Sequence, residues 1–149
     1  MHQVMKRKNI GRLFLVLLAL LAAVSAWLLI VTPAERDRRA EINSYAFDDM
    51  GEKTPWDLKK PMLWGCFFTS KAKVPLMVSR CLLGFAGFRF VDLSRDENEL
   101  WWLHLECVEV HDVNSLSVRD VRLSRFGSLT FSDYDGWDVG PVKPIHANK

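Results

Sequence analysis

Hydrophobic and polar positions divide this chain into one long apolar run, one charged stretch and one region of short alternations. The run is Leu13 to Val31, which holds no charged residue and only Ser25 as a polar one. At about 1.5 Å per residue a helix over 13–31 covers roughly 28 Å, near the hydrocarbon thickness of a bilayer, so the pattern predicts a transmembrane helix. Lys6, Arg7, Lys8 and Arg12 precede it, and Arg36, Arg38 and Arg39 follow. That small excess of basic charge places a tail of residues 1–12 in the cytoplasm and the remainder on the periplasmic face of an inner membrane, crossed once. A cleavable signal peptide competes with an anchor, because Val24-Ser25-Ala26 offers small residues where a peptidase would cut. Cleavage there leaves Trp27 to Val31 as an apolar new terminus, which favours an uncut signal anchor with Trp27 at the outer interface.

The charged stretch opens with Thr32-Pro33-Ala34-Glu35, a capping-box pattern with proline at the first helical position. It predicts a juxtamembrane helix over 32–47, whose arginines either meet lipid headgroups or keep a connector solvated. Gly51, Pro55 and Pro61 mark 48–61 as a linker. From Met62 the alternations predict a small β-rich domain over 62–139, with strands at 62–68, 76–83, 85–93, 100–110, 116–123 and 128–132. Turn signals fall at 70–73, 94–98 and 112–115. A helix over 76–88 is the alternative reading, weakened by Gly84, Gly87 and the β-branched Val78. Lys71, Lys73, Arg80 and Arg89 exclude a second membrane span. Residues 140–149 read as an extended, frayed tail. The fold class expected is α+β: the membrane helix, the juxtamembrane helix, then an antiparallel sheet or barrel-like domain outside the cell.

Charge refines this picture. Four of the twenty basic residues precede the apolar run, which leaves sixteen against eighteen acidic residues beyond it. A slightly acidic domain argues against nucleic acid as a partner. Cys66, Cys81 and Cys107 are an odd number, so an oxidising compartment allows one intramolecular disulfide at most. Cys66 with Cys81 is the favoured pair if both lie on strands joined through 71–75, and three unbonded buried thiols are the alternative.

Candidate chemistry is sparse. Ala19, Ala22, Ala23 and Ala26 recur at helical spacing and form a small-residue face on which another helix could pack. His104, Glu106, Cys107, His111 and Asp112 are potential metal ligands or acid–base groups, yet on a strand they alternate between faces and do not converge. Asp133, Asp135 and Asp138 surround Gly136 out of register with a calcium loop, and read better as a turn at Asp135-Gly136. No Gly-x-Ser-x-Gly and no glycine-rich phosphate loop is present. Trp101 and Trp102 are adjacent, so a strand turns one inward and offers the other to a partner. The expectation is a non-enzymatic protein-binding module without metal, cofactor or small-molecule substrate. It would be held at the bilayer and act as an accessory, assembly or immunity-like inhibitory subunit of an envelope complex. A membrane-tethered hydrolase or metal enzyme using His104 to Asp112 is the second reading.

Overall fold

A computed structural model describes residues 15–16, 18–20, 22–24, 26–27 and 30–142. Helix α1 spans Pro33–Lys53 and starts where the capping box lies: the Thr32 hydroxyl accepts from the Glu35 amide, and the Glu35 carboxylate accepts from the Thr32 amide. It runs past 47 and takes up the first part of the expected linker. The remaining elements are β1 (Met62–Ser70), α2 (Lys73–Phe85), β2 (Arg89–Arg95), β3 (Trp101–Glu109), α3 (Val113–Leu129) and β4 (Asp133–Pro141).

The four strands form one antiparallel sheet in the order β2-β3-β1-β4. Each helical crossover therefore skips over a central strand, which is the ferredoxin-like β-α-β-β-α-β connectivity. Alternation along the central strands sends Cys66, Phe68, Leu103 and Leu105 to one face, where Leu76 and Leu83 of α2 and Leu123 of α3 close over them. A second cluster continues that face: Met62, Trp64 and Leu116 pack with Phe47 and Trp56, so α1 and the segment after it cover the far end. Asn43, 3 % exposed, fastens α1 to α3 by donating to Ser117 Oγ at 3.0 Å and Asp120 Oδ2 at 3.2 Å.

Several sequence expectations inside the domain are corrected. Segments 76–83 and 116–123 are helices rather than strands, 128–132 is the last two residues of α3 and the turn after it, and the strand expected over 85–93 begins only at Arg89. In α2 the buried positions are Leu76, Ser79 and Leu83, a helical spacing hidden because apolar residues fill the other faces too. In α3, Asp112 caps the helix through the Ser115 amide at 2.7 Å, and Leu116, Asp120, Leu123 and Gly127 line its inner face. The sheet is open rather than a barrel, and Asp135-Gly136 is a bulge within β4 rather than a tight reversal.

The membrane reading is corrected as well. Among the described residues no helix is long and apolar enough to cross a membrane. Those described between 15 and 27 are helical, Ile30 to Thr32 are not, and a separately capped helix begins at Pro33. The transmembrane helix at 13–31 is thus withdrawn. The single-pass signal anchor, the cytoplasmic tail 1–12 and the inner-membrane and periplasmic placement rested on it and are withdrawn with it. Residues 1–14, 17, 21, 25, 28 and 29, and residues 143–149 of the expected frayed tail, lie outside the described residues, whereas Gly140 and Pro141 belong to β4.

Candidate functional site

Helix α2 is held by three buried side chains, and apart from Lys73 and Arg80 its exposed surface is largely apolar. Val74, Met77, Val78, Leu82 and Phe85 are all exposed. So much exposed apolar surface on one helix of a small domain needs explaining. Ser79 fixes its position: the fully buried hydroxyl donates to Thr130 Oγ1 at 2.8 Å and lies 3.4 Å from Ser132 Oγ. This ties α2 to the end of α3 and leaves between them an apolar cavity of about 430 Å³, lined by Val74, Val78, Leu82, Phe126, Leu129 and Phe131.

Phe131 is the odd residue in this wall. The end of α3 closes by Ser132 N donating to Gly127 O at 2.9 Å, with Phe131 at φ 57°. A left-handed residue after a helix is ordinarily glycine, since a β-carbon there costs about 1–2 kcal/mol. Phe131 is also 85 % exposed, so burial returns nothing for that strain. Along α2 and its flanks, from Lys71 to Val91, the chain carries Lys71, Lys73, Arg80 and Arg89 and no acid, and Asp133 follows Phe131. Two of these cations rest on aromatic rings, Arg80 on Phe90 at 3.7 Å and Lys73 on Trp101 at 4.9 Å.

A second, polar constellation lies where β3 meets α3. Glu109 Oε2 accepts from His111 Nε2 at 3.0 Å and from the Cys107 thiol at 3.0 Å, and Arg119 Nε lies 2.9 Å away. The hydrogen bond from His111, helped by Cys107 and the Arg119 charge, holds the Glu109 carboxyl down to about 2. Burial, with the Glu109 carboxylate beside it, pushes the Cys107 thiol up to about 12, and burial does the same to Cys66. Neither is a thiolate near neutral pH. His111 Nδ1 sits 3.3 Å from Ser115 Oγ, but that hydroxyl already accepts from the Asp112 amide at 2.9 Å in the α3 cap. The group has the outline of a nucleophile, base and acid, with its hydroxyl committed to holding the helix.

The opposite, open face of the sheet carries His104 and Glu106. His104 stacks on Phe67 with ring centres 4.4 Å apart, and Glu106 pairs with Arg89. Gly65 leaves room beneath: a β-carbon there would lie 2.0 Å from Asp138 Oδ1 and 2.8 Å from His104 Nε2. The strand therefore separates His104 and Glu106 from Cys107 and His111. Among the described residues no three His, Cys, Asp or Glu side chains are grouped to hold a metal ion.

The other residues singled out in the sequence are scattered. Ala19, Ala22, Ala23 and Ala26 are helical and exposed. Trp27 lies under the Arg125 guanidinium, which also bonds the Trp27 and Ile30 carbonyls. Trp101 packs against the helix-facing core, while Trp102, on the open face, donates to Asp96 Oδ2 at 3.1 Å. Cys66 is buried in the sheet, Cys81 is exposed on α2, and all three thiols are free. The two-strand arrangement that favoured their bridge is absent, because Cys81 is on a helix. Phe131 and Arg119 were not singled out. The local signal for the first was Gly127 followed by Ser, Leu and Thr at a helix end with no glycine after it; a pairing of Arg119 with Glu109 leaves no local trace. No family profile matches this chain, and no curated protein is similar to it in sequence.

Proposed function

We propose that this protein is a non-enzymatic binding module whose partner lies along α2 and against Phe131. The observation that carries it is Phe131, a strained and exposed aromatic ring at the mouth of an apolar groove. Folding alone favours glycine at that position, so the ring serves something outside the fold. The partner is a protein segment with an apolar stripe and acidic residues beside it, most simply an amphipathic helix. Its apolar side chains fill the groove left by Val78 and Leu82, and its carboxylates meet Lys71 and Lys73, next to Val74 at the start of α2. The exposed large side chains supply the kind of anchor that dominates contact energies.

Selection of displayed helical peptides on the immobilised full-length chain tests this. The expected winners carry apolar residues at i, i+3, i+4 and i+7 with adjacent Asp or Glu. Their binding falls about tenfold or more with Leu82→Glu. Phe131→Gly separates binding from folding: it weakens the selected peptide while leaving the urea midpoint unchanged or raised. Peptides that keep full affinity for both variants overturn the reading. So does a chain that sediments as a dimer dissociated by Leu82→Glu, since the groove is then closed by a second copy.

A further inference from the structure

The sheet has helices packed on one face, and the register of its strands fixes what stands on the other. Four cross-strand rows stand there. Ser94, Trp102, Thr69 and Asp133 form the first, and Asp92, His104, Phe67 and Gly136 the second. Arg89, Glu106, Gly65 and Asp138 form the third, and Val108, Leu63 and Gly140 the last. The two central strands therefore carry the bulk: Trp102, the stacked rings of His104 and Phe67, then Leu63 and Val108, the last 54 % exposed. The two outer strands carry free charge. Asp92 on β2 and Asp133 and Asp138 on β4 are exposed, and among the described residues none of the three is in an ion pair. Arg89, the one cation in these rows, is held by Glu106. Four carboxylates thus stand against a single guanidinium, with an aromatic and aliphatic strip along the middle. Apolar surface rimmed by polar groups in this way marks an interaction site.

We infer that this face receives a second partner, an amphipathic helix of another protein whose apolar stripe is flanked by lysine or arginine. Size supports a helix lying along the central strands. Strands about 4.8 Å apart put β2 and β4 about 14 Å from one another, against about 10–12 Å for a helix with its side chains. Basic residues on either side of the stripe then reach Asp92 at one edge and Asp133 and Asp138 at the other. Rows about 6.8 Å apart give the strip a length of about 20 Å, or about 14 helical residues. Charge decides between occupants. A second copy laid face to face would bring the two sets of carboxylates together, and the phosphates of a nucleic acid would meet the same repulsion. The face shares no residue with the α2 groove, whose partner carries acid where this one carries base, so the inference stands apart from that reading. A protein with both surfaces joins two partners of opposite charge.

The test uses two helical peptides of about 14 residues with the same leucine stripe, one flanked by Lys and the other by Glu. Each is titrated into the intact chain, and backbone amide and tryptophan indole resonances report where it lands. The Lys peptide is expected to shift β1, β3 and the Trp102 indole saturably, with a Kd below about 1 mM, and to leave α2 unmoved. The Glu peptide is expected to leave the sheet unmoved. Asp92→Asn, Asp133→Asn and Asp138→Asn together should weaken the Lys peptide about tenfold, the combined effect of three exposed ion pairs, and added salt should act in the same direction. Val108→Lys, at an exposed position, sets a like charge in the strip and should weaken it about tenfold or more, whereas Leu82→Glu on α2 should not. Sheet resonances that respond equally to both peptides, or to neither below about 1 mM, overturn the inference. A Lys peptide that moves to α2, or that keeps its affinity for the triple Asn variant, overturns it equally. So does a chain that sediments as a dimer dissociated by Val108→Lys, since the face is then covered by a second copy.

Discussion

Asn43→Ala should unfold this protein more than any other single polar truncation in α1, and the expected size follows from its bonds. The amide donates to Ser117 Oγ at 3.0 Å and Asp120 Oδ2 at 3.2 Å, and it accepts from Trp137 Nε1 at 3.3 Å. Asp120 is 1 % exposed and its other oxygen accepts from Tyr134 at 2.7 Å. Alanine leaves the Trp137 indole without its acceptor and takes one of two donors from a buried carboxylate, whereas Ser117 keeps its bond to Val113 O at 2.6 Å. One orphaned donor and one weakened charged acceptor sum to about 2–4 kcal/mol, or a fall of about 10–20 °C in Tm for a domain of this size. Urea titration followed by tryptophan fluorescence at pH 7 measures it. A pH arm identifies the cause. Burial raises the Asp120 carboxyl above its ordinary value, against the bonds from Tyr134 and Asn43. With a raised folded value, the stabilising contribution of the protonated form is whole below the ordinary carboxylate pKa and is lost as pH rises through the folded value. Losing Asn43 raises that value further, so the deficit of the variant should be larger at pH 7 than at pH 4. A deficit under about 0.5 kcal/mol, or one of equal size at both pH values, refutes the reasoning.

Two glycines should respond differently to alanine. In Gly127→Ala the new β-carbon meets the Ser132 carbonyl at 2.8 Å, a backbone atom that cannot swing aside, so a change that usually stabilises a helix interior by up to about 1 kcal/mol should here destabilise. Gly65→Ala meets only the ends of the Asp138 and His104 side chains and should cost less, and melting curves of the pair establish the order. Glu109 supports the fold above the ordinary carboxylate range and loses that support as pH falls toward about 2. With about a third of its side chain in solvent, the contribution is about 1–2 kcal/mol, and Glu109→Gln should flatten the acid limb of stability against pH. Thiol titration of the native chain should show one fast cysteine, the exposed Cys81, with Cys66 and Cys107 reacting only in urea. Two fast thiols would contradict the packing around Cys107.

Local chemistry was legible where one short pattern decides the outcome. Thr32-Pro-Ala-Glu35 announced the start of α1, and the alternation from Leu103 to Val110 announced β3. The same alternation separates His104 and Glu106 from Cys107 and His111. What stayed hidden depends on residues far apart in the chain. Asn43 meets Asp120 across seventy-seven positions, and the pairing of Arg119 with Glu109 arises only once α3 packs on β3. The apolar run at 13–31 was the loudest signal and gave an expectation that the described residues do not support. Hydropathy reports what a segment avoids, and says nothing of what continuous structure it enters.

The misread segment 76–83 and the proposed binding surface have one cause. A helix that buries part of its surface shows its period by placing polar residues on the rest, and α3 does so with Asn114, Arg122 and Ser128. In α2 that contrast is missing, because Val74, Met77, Val78, Leu82 and Phe85 occupy positions that solvent would fill with polar side chains. The period is erased by residues the isolated domain does not need. Phe131 repeats the pattern at the backbone level, with a ring where glycine would close the turn more cheaply. Conflicts between local preference and global fold concentrate where a sequence serves more than folding. Here two independent conflicts, one of polarity and one of φ, meet in a single groove. Replacing the exposed α2 residues with Glu, Lys and Gln at helix-compatible positions, together with Phe131→Gly, should therefore give a more soluble and no less stable domain that has lost its partner. A redesigned chain that folds worse would show that these side chains serve the fold after all.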